Sequence, residues 1–332
     1  MKFFSYLKLV LVVLACFLIN DAAQADGRVI RSNSRYVAIV NGSTVYSGSK
    51  YFDAINAACN RSGSNTTITI ETPGTSGNDN GSIYAIRPLP GQTLDFRGNT
   101  VNCTRDDLVV GIYVDRRDGI TIKNIRMTGA PRYGIWFSGC SNVTISGVNM
   151  QLSSSISAGD AIRVDDRNGS RSPKNLKITG SVNIKGCKLH AIETYGIDRV
   201  NIGNVTTSST GGCGVLLNKS TNCTVGKVKG TKNNENGGYA TFRVANSNGK
   251  TTCKEVYSRD SGRGFFSVSG SKDCTVNKVD IRGANREGVY IQDSRNTKVS
   301  SGSISGSGSA NVRIRNSPGS SVNATFSGGV AN

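Results

Sequence analysis

Groups able to move protons or hold charge crowd into one stretch of this 332-residue chain. His190 is its only histidine, and Glu193 and Tyr195 follow within five residues. A histidine near its ordinary pKa, oriented by a carboxylate such as Asp160, is a natural general base. Tyr195 supplies the matching acid, or the two exchange roles. Arg163 and Arg243 are cations that can neutralise a bound carboxylate and so acidify a neighbouring C–H. Glu193 completes the candidate catalytic group. Asp160, Asp165, Asn218, Tyr239, Arg263 and Asn246 are candidate binding groups, and Tyr133 and Trp136 offer flat faces for stacking. No metal is required by this set. If calcium is used, Asp160, Asp165 and Asp166 are its oxygen ligands. Zinc is excluded, since there is one histidine and no C-x-x-C pair.

What brings these residues together is a repeat. One phrase begins with a small or turn residue and alternates apolar positions: Gly111-Ile112-Tyr113-Val114, Gly134-Ile135-Trp136-Phe137, Ala161-Ile162-Arg163-Val164, Ala191-Ile192-Glu193-Thr194, Gly214-Val215-Leu216-Leu217, Tyr239-Ala240-Thr241-Phe242, Gly264-Phe265-Phe266-Ser267, Gly288-Val289-Tyr290-Ile291 and Asn311-Val312-Arg313-Ile314. Successive starts lie 23 to 30 residues apart. A second phrase resembles N-V-T-I, as in Asn142-Val143-Thr144-Ile145 and Asn222-Cys223-Thr224-Val225. A period in the twenties built from alternating strands means a solenoid. The leucine-rich frame and the longer propeller periods are absent. The expected fold is all-β: a right-handed parallel β-helix whose rungs run over about residues 90–326. Residues 51–59 (YFDAINAAC) read as a short amphipathic helix within an N-terminal cap at about 35–75.

Equivalent residues of neighbouring rungs sit about 4.8 Å apart, so the frame is also a map. It sets Asp160 beside His190, Arg163 beside Glu193, and Asp165 beside Tyr195, with Asn218 and then Arg243 following. Cys223, Cys253 and Cys274 fall at about the same place in three rungs, as a bridge plus a thiol or as buried packing.

The N-terminus carries Lys2 and Lys8 around the start of an apolar run over residues 9–19, closed by Ala23-Gln24-Ala25. That is a signal peptide of residues 1–25, leaving one domain over 26–332. The mature protein is expected to be secreted, free of the membrane and monomeric. Loss of Lys2, Lys8 and Asp21 takes the formal charge from +18 to +17. Such a charge favours an anionic partner. Secretion and the lack of any nucleic-acid-binding signature exclude nucleic acid and leave an acidic polysaccharide. Eight cysteines remain after Cys16, an even number that permits disulfides in an oxidising compartment. Sequons at Asn65, Asn142, Asn204, Asn218 and Asn222 become glycans in a eukaryotic secretory pathway.

The leader, the capping segment and the two rung phrases together resemble the pectate-lyase-like superfamily of right-handed parallel β-helix proteins, over roughly residues 51–326. The resemblance implies the fold and a carbohydrate-active family, but its members include lyases, hydrolases, epimerases, esterases and tailspikes, so the reaction must be argued from the site. The residues favour β-elimination of a uronate-containing polysaccharide: an arginine on the C6 carboxylate, His190 on the C5 proton and Tyr195 on the leaving oxygen. The rival is an inverting hydrolase using two carboxylates from Asp160, Asp165, Asp166 and Glu193. The superfamily's polygalacturonases carry N-x-D, D-D, G-H-G and R-I-K motifs. Here Gly159-Asp160-Ala161 lacks the second aspartate, no G-H-G occurs, and Arg313-Ile314-Arg315 is a partial echo. A third reading is a non-catalytic carbohydrate-binding or adhesion solenoid. The segment 237–250 is the most distinctive non-repetitive stretch, and it carries Tyr239, Arg243 and Asn246.

Overall fold

A computed structural model describes residues 26–77, 81–153, 159–167, 169 and 171–331; the leader and Cys16 lie outside them. The described chain is a parallel β-solenoid of about 11 turns. Alternation places one side chain of each pair inside. The G-I-x-V strands stack Ile112, Ile135, Ile162, Ile192, Val215, Phe242, Phe265, Val289 and Val312 in one inward column. All nine are fully buried. The N-V-T-I strands stack Ile145, Ile178, Ile202, Val225, Cys253, Val276 and Val299 likewise. Burying each such side chain is worth about 1.5–3 kcal/mol, and the like-on-like columns hold the register.

Two small residue types recur for identifiable reasons. A Cβ at Gly134 would lie 2.5 Å from the Ala161 carbonyl oxygen of the next rung, and one at Gly111 as close to that of Gly134. The leading asparagine of N-V-T-I is left-handed, with φ of 57° at Asn142 and 53° at Asn222. Asparagine tolerates that region better than most residues. Its amide then bonds to the rung before it, Asn175 Nδ2 to Asn142 Oδ1 at 2.7 Å and Asn222 Nδ2 to Asp198 Oδ1 at 2.6 Å.

The N-terminal end is closed by helix α1 (Tyr51–Ser62), whose apolar residues at positions 51, 52, 54, 55, 58 and 59 are buried. Antiparallel strands Gly27–Ser32, Arg35–Val40 and Ser43–Gly48 complete this cap. The parallel stack starts earlier than residue 90. Gly27–Ser32 already pairs in parallel with Thr67–Ile70, which pairs with Thr93–Asp95.

Two details of the expected map are corrected. Strand Ala240–Ala245 sits two residues out of the expected register: Val215 faces Phe242 and Leu216 faces Arg243. The turn before it is two residues longer than the repeat suggests, so Thr241, not Tyr239, begins the phrase. Arg243 therefore continues the column of Arg163, Glu193 and Leu216 instead of following Asn218. Among the cysteines, Cys223 aligns with Thr251 and Cys274, while Cys253 lies in the neighbouring column. All eight described cysteines are free and buried, so the permitted disulfides do not form. Burial raises their thiols, Cys253 to about 12, which makes them packing groups and not nucleophiles.

Candidate functional site

The outward side chains of the G-I-x-V strands form one face. Its central column runs Tyr113, Trp136, Arg163, Glu193, Leu216, Arg243, Phe266, Tyr290 and Arg313. At its middle lies a buried charged group. Arg163 is 2 % exposed and meets three carboxylates: Asp160 at 3.1 Å, Glu193 at 2.7 Å and Asp165 through Nε. Those carboxylates are 1–4 % exposed. Burial and the charge of Glu193 raise the Asp160 carboxyl well above its usual range, against the pull of Arg163. Burial pushes Glu193 upward too, but Arg163 and His190 outweigh it and hold the group low. Of the two, Asp160 is thus the harder to ionise and Glu193 the easier.

Arg163 is therefore buried among internal carboxylates and not presented to a substrate, with Nε and Nη1 engaged and Nη2 buried without a partner. The three carboxylates expected for calcium are engaged within the protein. Asp160 and Asp165 turn toward the guanidinium, which stands where a cation would, and Asp166 accepts the main-chain N–H groups of Arg171 and Ser172. Asp160, His190 and Glu193 also bring ligand atoms within 4.8 Å of one another, with both carboxylates sharing the Arg163 guanidinium.

His190 is also held differently from the expected base. Its main-chain N–H donates to Asp160 Oδ1 at 2.8 Å, so the aspartate fixes the backbone rather than the ring. Its Nδ1 accepts the N–H of Cys213 at 2.7 Å. An accepting Nδ1 carries no proton, so the neutral ring bears its hydrogen on Nε2. Burial, with Arg243 and Arg163 adding to it and Glu193 opposing it, lowers the imidazole to about 4. His190 is a neutral hydrogen-bond donor at neutral pH, and it is not the base.

That shift has a measurable consequence. Between about 4 and the ordinary 6.5 the unfolded chain binds a proton at His190 that the folded chain refuses. Stability at this group therefore rises with pH across that window and is lost as pH falls through it. Wild type should lose on the order of 3 kcal/mol relative to His190→Gln between these limits. Urea unfolding at a series of pH values reads the difference, and a constant gap between the two proteins would contradict the assignment.

The groups left available lie around this core. Arg243 is half-buried, and no ion pair or hydrogen bond reaches its guanidinium among the described residues; its Nε is buried without a partner. It lies between two rings, 5.0 Å from the centroids of Tyr239 and Phe266. Tyr239 in turn meets the His190 ring edge-on at 5.0 Å. Tyr195 is half-buried, with Lys219 Nζ 5.4 Å and Arg167 5.8 Å from its ring. Asn218 donates to Glu193 Oε1 at 3.2 Å and accepts from exposed Asn246 at 2.9 Å. Trp136, bonded to Asp165 through Nε1, packs between Tyr113 and Tyr133 with centroids 4.6 and 4.9 Å away. These three half-buried rings form a platform beside the charged group.

Arg263, expected to bind ligand, is instead buried against Glu287 at 2.6 Å and the Gly238 carbonyl. Sequence reasoning missed Tyr113 as a platform member and Arg87, whose guanidinium covers that ring at 4.8 Å. Tyr113 stood in the mapped column; Arg87 lies outside the repeat and left no signal.

The parallel β-solenoid with its capping helix is the fold expected from the rung phrases. No protein-family model matches the chain, and no curated protein does. Among solved structures, the A-module of mannuronan C-5 epimerase AlgE4 from Azotobacter vinelandii is similar at 12% identity and a TM-score of 0.37, covering 85% of this chain and 95% of that one. The AlgE6 A-module of the same organism matches at 12% identity and a TM-score of 0.34, covering 82% and 76%. PfbA, a surface adhesin of Streptococcus pneumoniae, matches at 11% identity and 0.38, covering 83% and 88%. The fold assignment rests on the chain's own strand register. No helix among the described residues is long and apolar enough to cross a membrane.

Proposed function

We propose that this is a secreted enzyme that cleaves a uronate-containing polysaccharide by β-elimination on the face around Arg243. The observation that carries the reading is the Arg243 guanidinium: half-buried, held between Tyr239 and Phe266, and without an internal anion. A cation so placed gains most from an external anion, here the C6 carboxylate of a uronic residue. The Tyr113, Tyr133 and Trp136 platform supplies stacking surface for neighbouring sugar rings.

Roles shift from those the sequence suggested. Arg243 and the neutral Nε2–H of His190 both act on the carboxylate, stabilising the charge that develops when C5 loses its proton. The Tyr195 phenolic oxygen is the group proposed to take that proton. The C4–O4 bond then breaks as the C4–C5 double bond forms, and the phenol returns the proton to O4. For the Asp160–Glu193 pair, spacing disfavours the inverting-hydrolase alternative. Ligand oxygens of Asp160 and Glu193 lie within 4.8 Å, whereas such a pair needs about 6.5–9.5 Å to admit water.

The test is a panel of pectin, alginate, glucuronan and glycosaminoglycans, with products assayed for both reducing ends and an unsaturated uronate that absorbs in the ultraviolet. The expected product shows both. Reducing ends without the double bond would indicate hydrolysis and sink the elimination claim.

A further inference from the structure

We propose that Arg313 forms a second anion station on the same face, taking another carboxylate of the polymer held by Arg243; this rests on the polyuronate reading above. The two arginines share the central outward column, with Phe266 and Tyr290 between them. Three rung steps put them about 14 Å apart along the solenoid. The intervening rings are stacked face to face, with centroids 5.1 Å apart and planes at 2°. Arg243 covers the Phe266 end of this pair at 5.0 Å, and Arg313 lies 5.9 Å from the Tyr290 ring. The stacked rings act as a spacer with a guanidinium on each side.

Charge is uncompensated at the second position. Glu287 is 3 % exposed, and its single carboxylate answers two arginines: Oε2 takes Arg263 Nε at 2.6 Å and Oε1 takes Arg313 Nη1 at 3.0 Å. Arg263 is buried, so the surplus charge appears on Arg313, whose side chain is 35 % exposed. Its Nε is buried and has no hydrogen-bond partner. Arg315, two residues along the same strand, and Arg286 are both exposed and add positive charge. A face with two such stations favours a chain charged at several sugars over one with an isolated uronate.

Binding of full-length protein to the tightest-bound of polygalacturonate, alginate and glucuronan, measured from low to moderate NaCl, tests this. Arg313→Gln is expected to weaken binding about tenfold. The slope of log affinity against log salt should fall by about one, as for loss of one cation on a linear polyanion. Arg282→Gln removes an equal charge from another strand, where Arg282 is exposed, and should leave affinity near wild type. Arg313→Lys should recover part of the loss, while unfolding midpoints confirm that every variant is folded. If Arg313→Gln binds as wild type while Arg243→Met is impaired, the second station is wrong and the polyuronate reading stands. Equal losses in Arg313→Gln and Arg282→Gln would reduce the effect to bulk charge and overturn the station. Failure of the unmodified protein to bind any of the three polymers would overturn both.

Discussion

Replacing Arg163 with methionine is expected to destabilise the fold by about 3–5 kcal/mol or more. The substitution fills much of the same space, so the loss isolates the charge. It strands Glu193 and Asp165, at 4 % and 2 % exposure, without the guanidinium that satisfies them, and leaves Asp160 between them. The three carboxyl groups lie on two adjoining strands, Ile162–Asp165 and Ile192–Tyr195, and the turn before the first. Their repulsion therefore acts across the rung contact. Lysine is expected to recover only part of the loss, because a point ammonium cannot meet three carboxylates as a planar fork does. Urea unfolding of wild type, Arg163→Met and Arg163→Lys measures this. A loss below about 1 kcal/mol, the scale of an exposed pair, would mean that the group is solvated and open.

Arg243 should give the opposite pattern. Arg243→Met is expected to reduce kcat/KM on a uronic polymer by about 10²–10³-fold, the usual cost of losing one group that stabilises developing anionic charge. Stability should barely change, since Arg243 has no ion pair among the described residues and loses only its contacts with Tyr239 and Phe266. Steady-state kinetics beside a thermal melt separates the effects. A variant that keeps its rate, or loses rate only in proportion to lost folding, contradicts the role given to Arg243. The two arginines are thus expected to contrast, one buried and structural, the other presented to substrate.

The sequence map placed both arginines on the correct face but could not tell them apart. Alternation and period specify which residues point outward, and they did so for every G-I-x-V rung except one. The exception arose because Gly237-Gly238-Tyr239 looks like a rung start. The strand ladder that sets Val215 opposite Phe242, with the hydrogen bond from Gly214 N to Ala240 O at 3.2 Å, fixes the true register. Pairing within the patch was less legible. Asp160 lies before its strand, at a turn whose direction the repeat does not specify, and from there it reaches both Arg163 and the His190 main chain. The state of His190 was not legible at all. Burial keeps the ring neutral, and its tautomer is set by the N–H of Cys213, a backbone donor that exists whatever side chain occupies that position. An even cysteine count says nothing of geometry, and each described thiol is free and buried.

Elimination requires C5–H cleavage, and hydrolysis leaves that bond alone, so the most direct measurement is turnover of a uronic polymer carrying deuterium at C5. A primary isotope effect on kcat/KM, with the unsaturated product, is the predicted result. Equal rates for the two isotopes, with new reducing ends and no double bond, would contradict the assignment of this face to β-elimination.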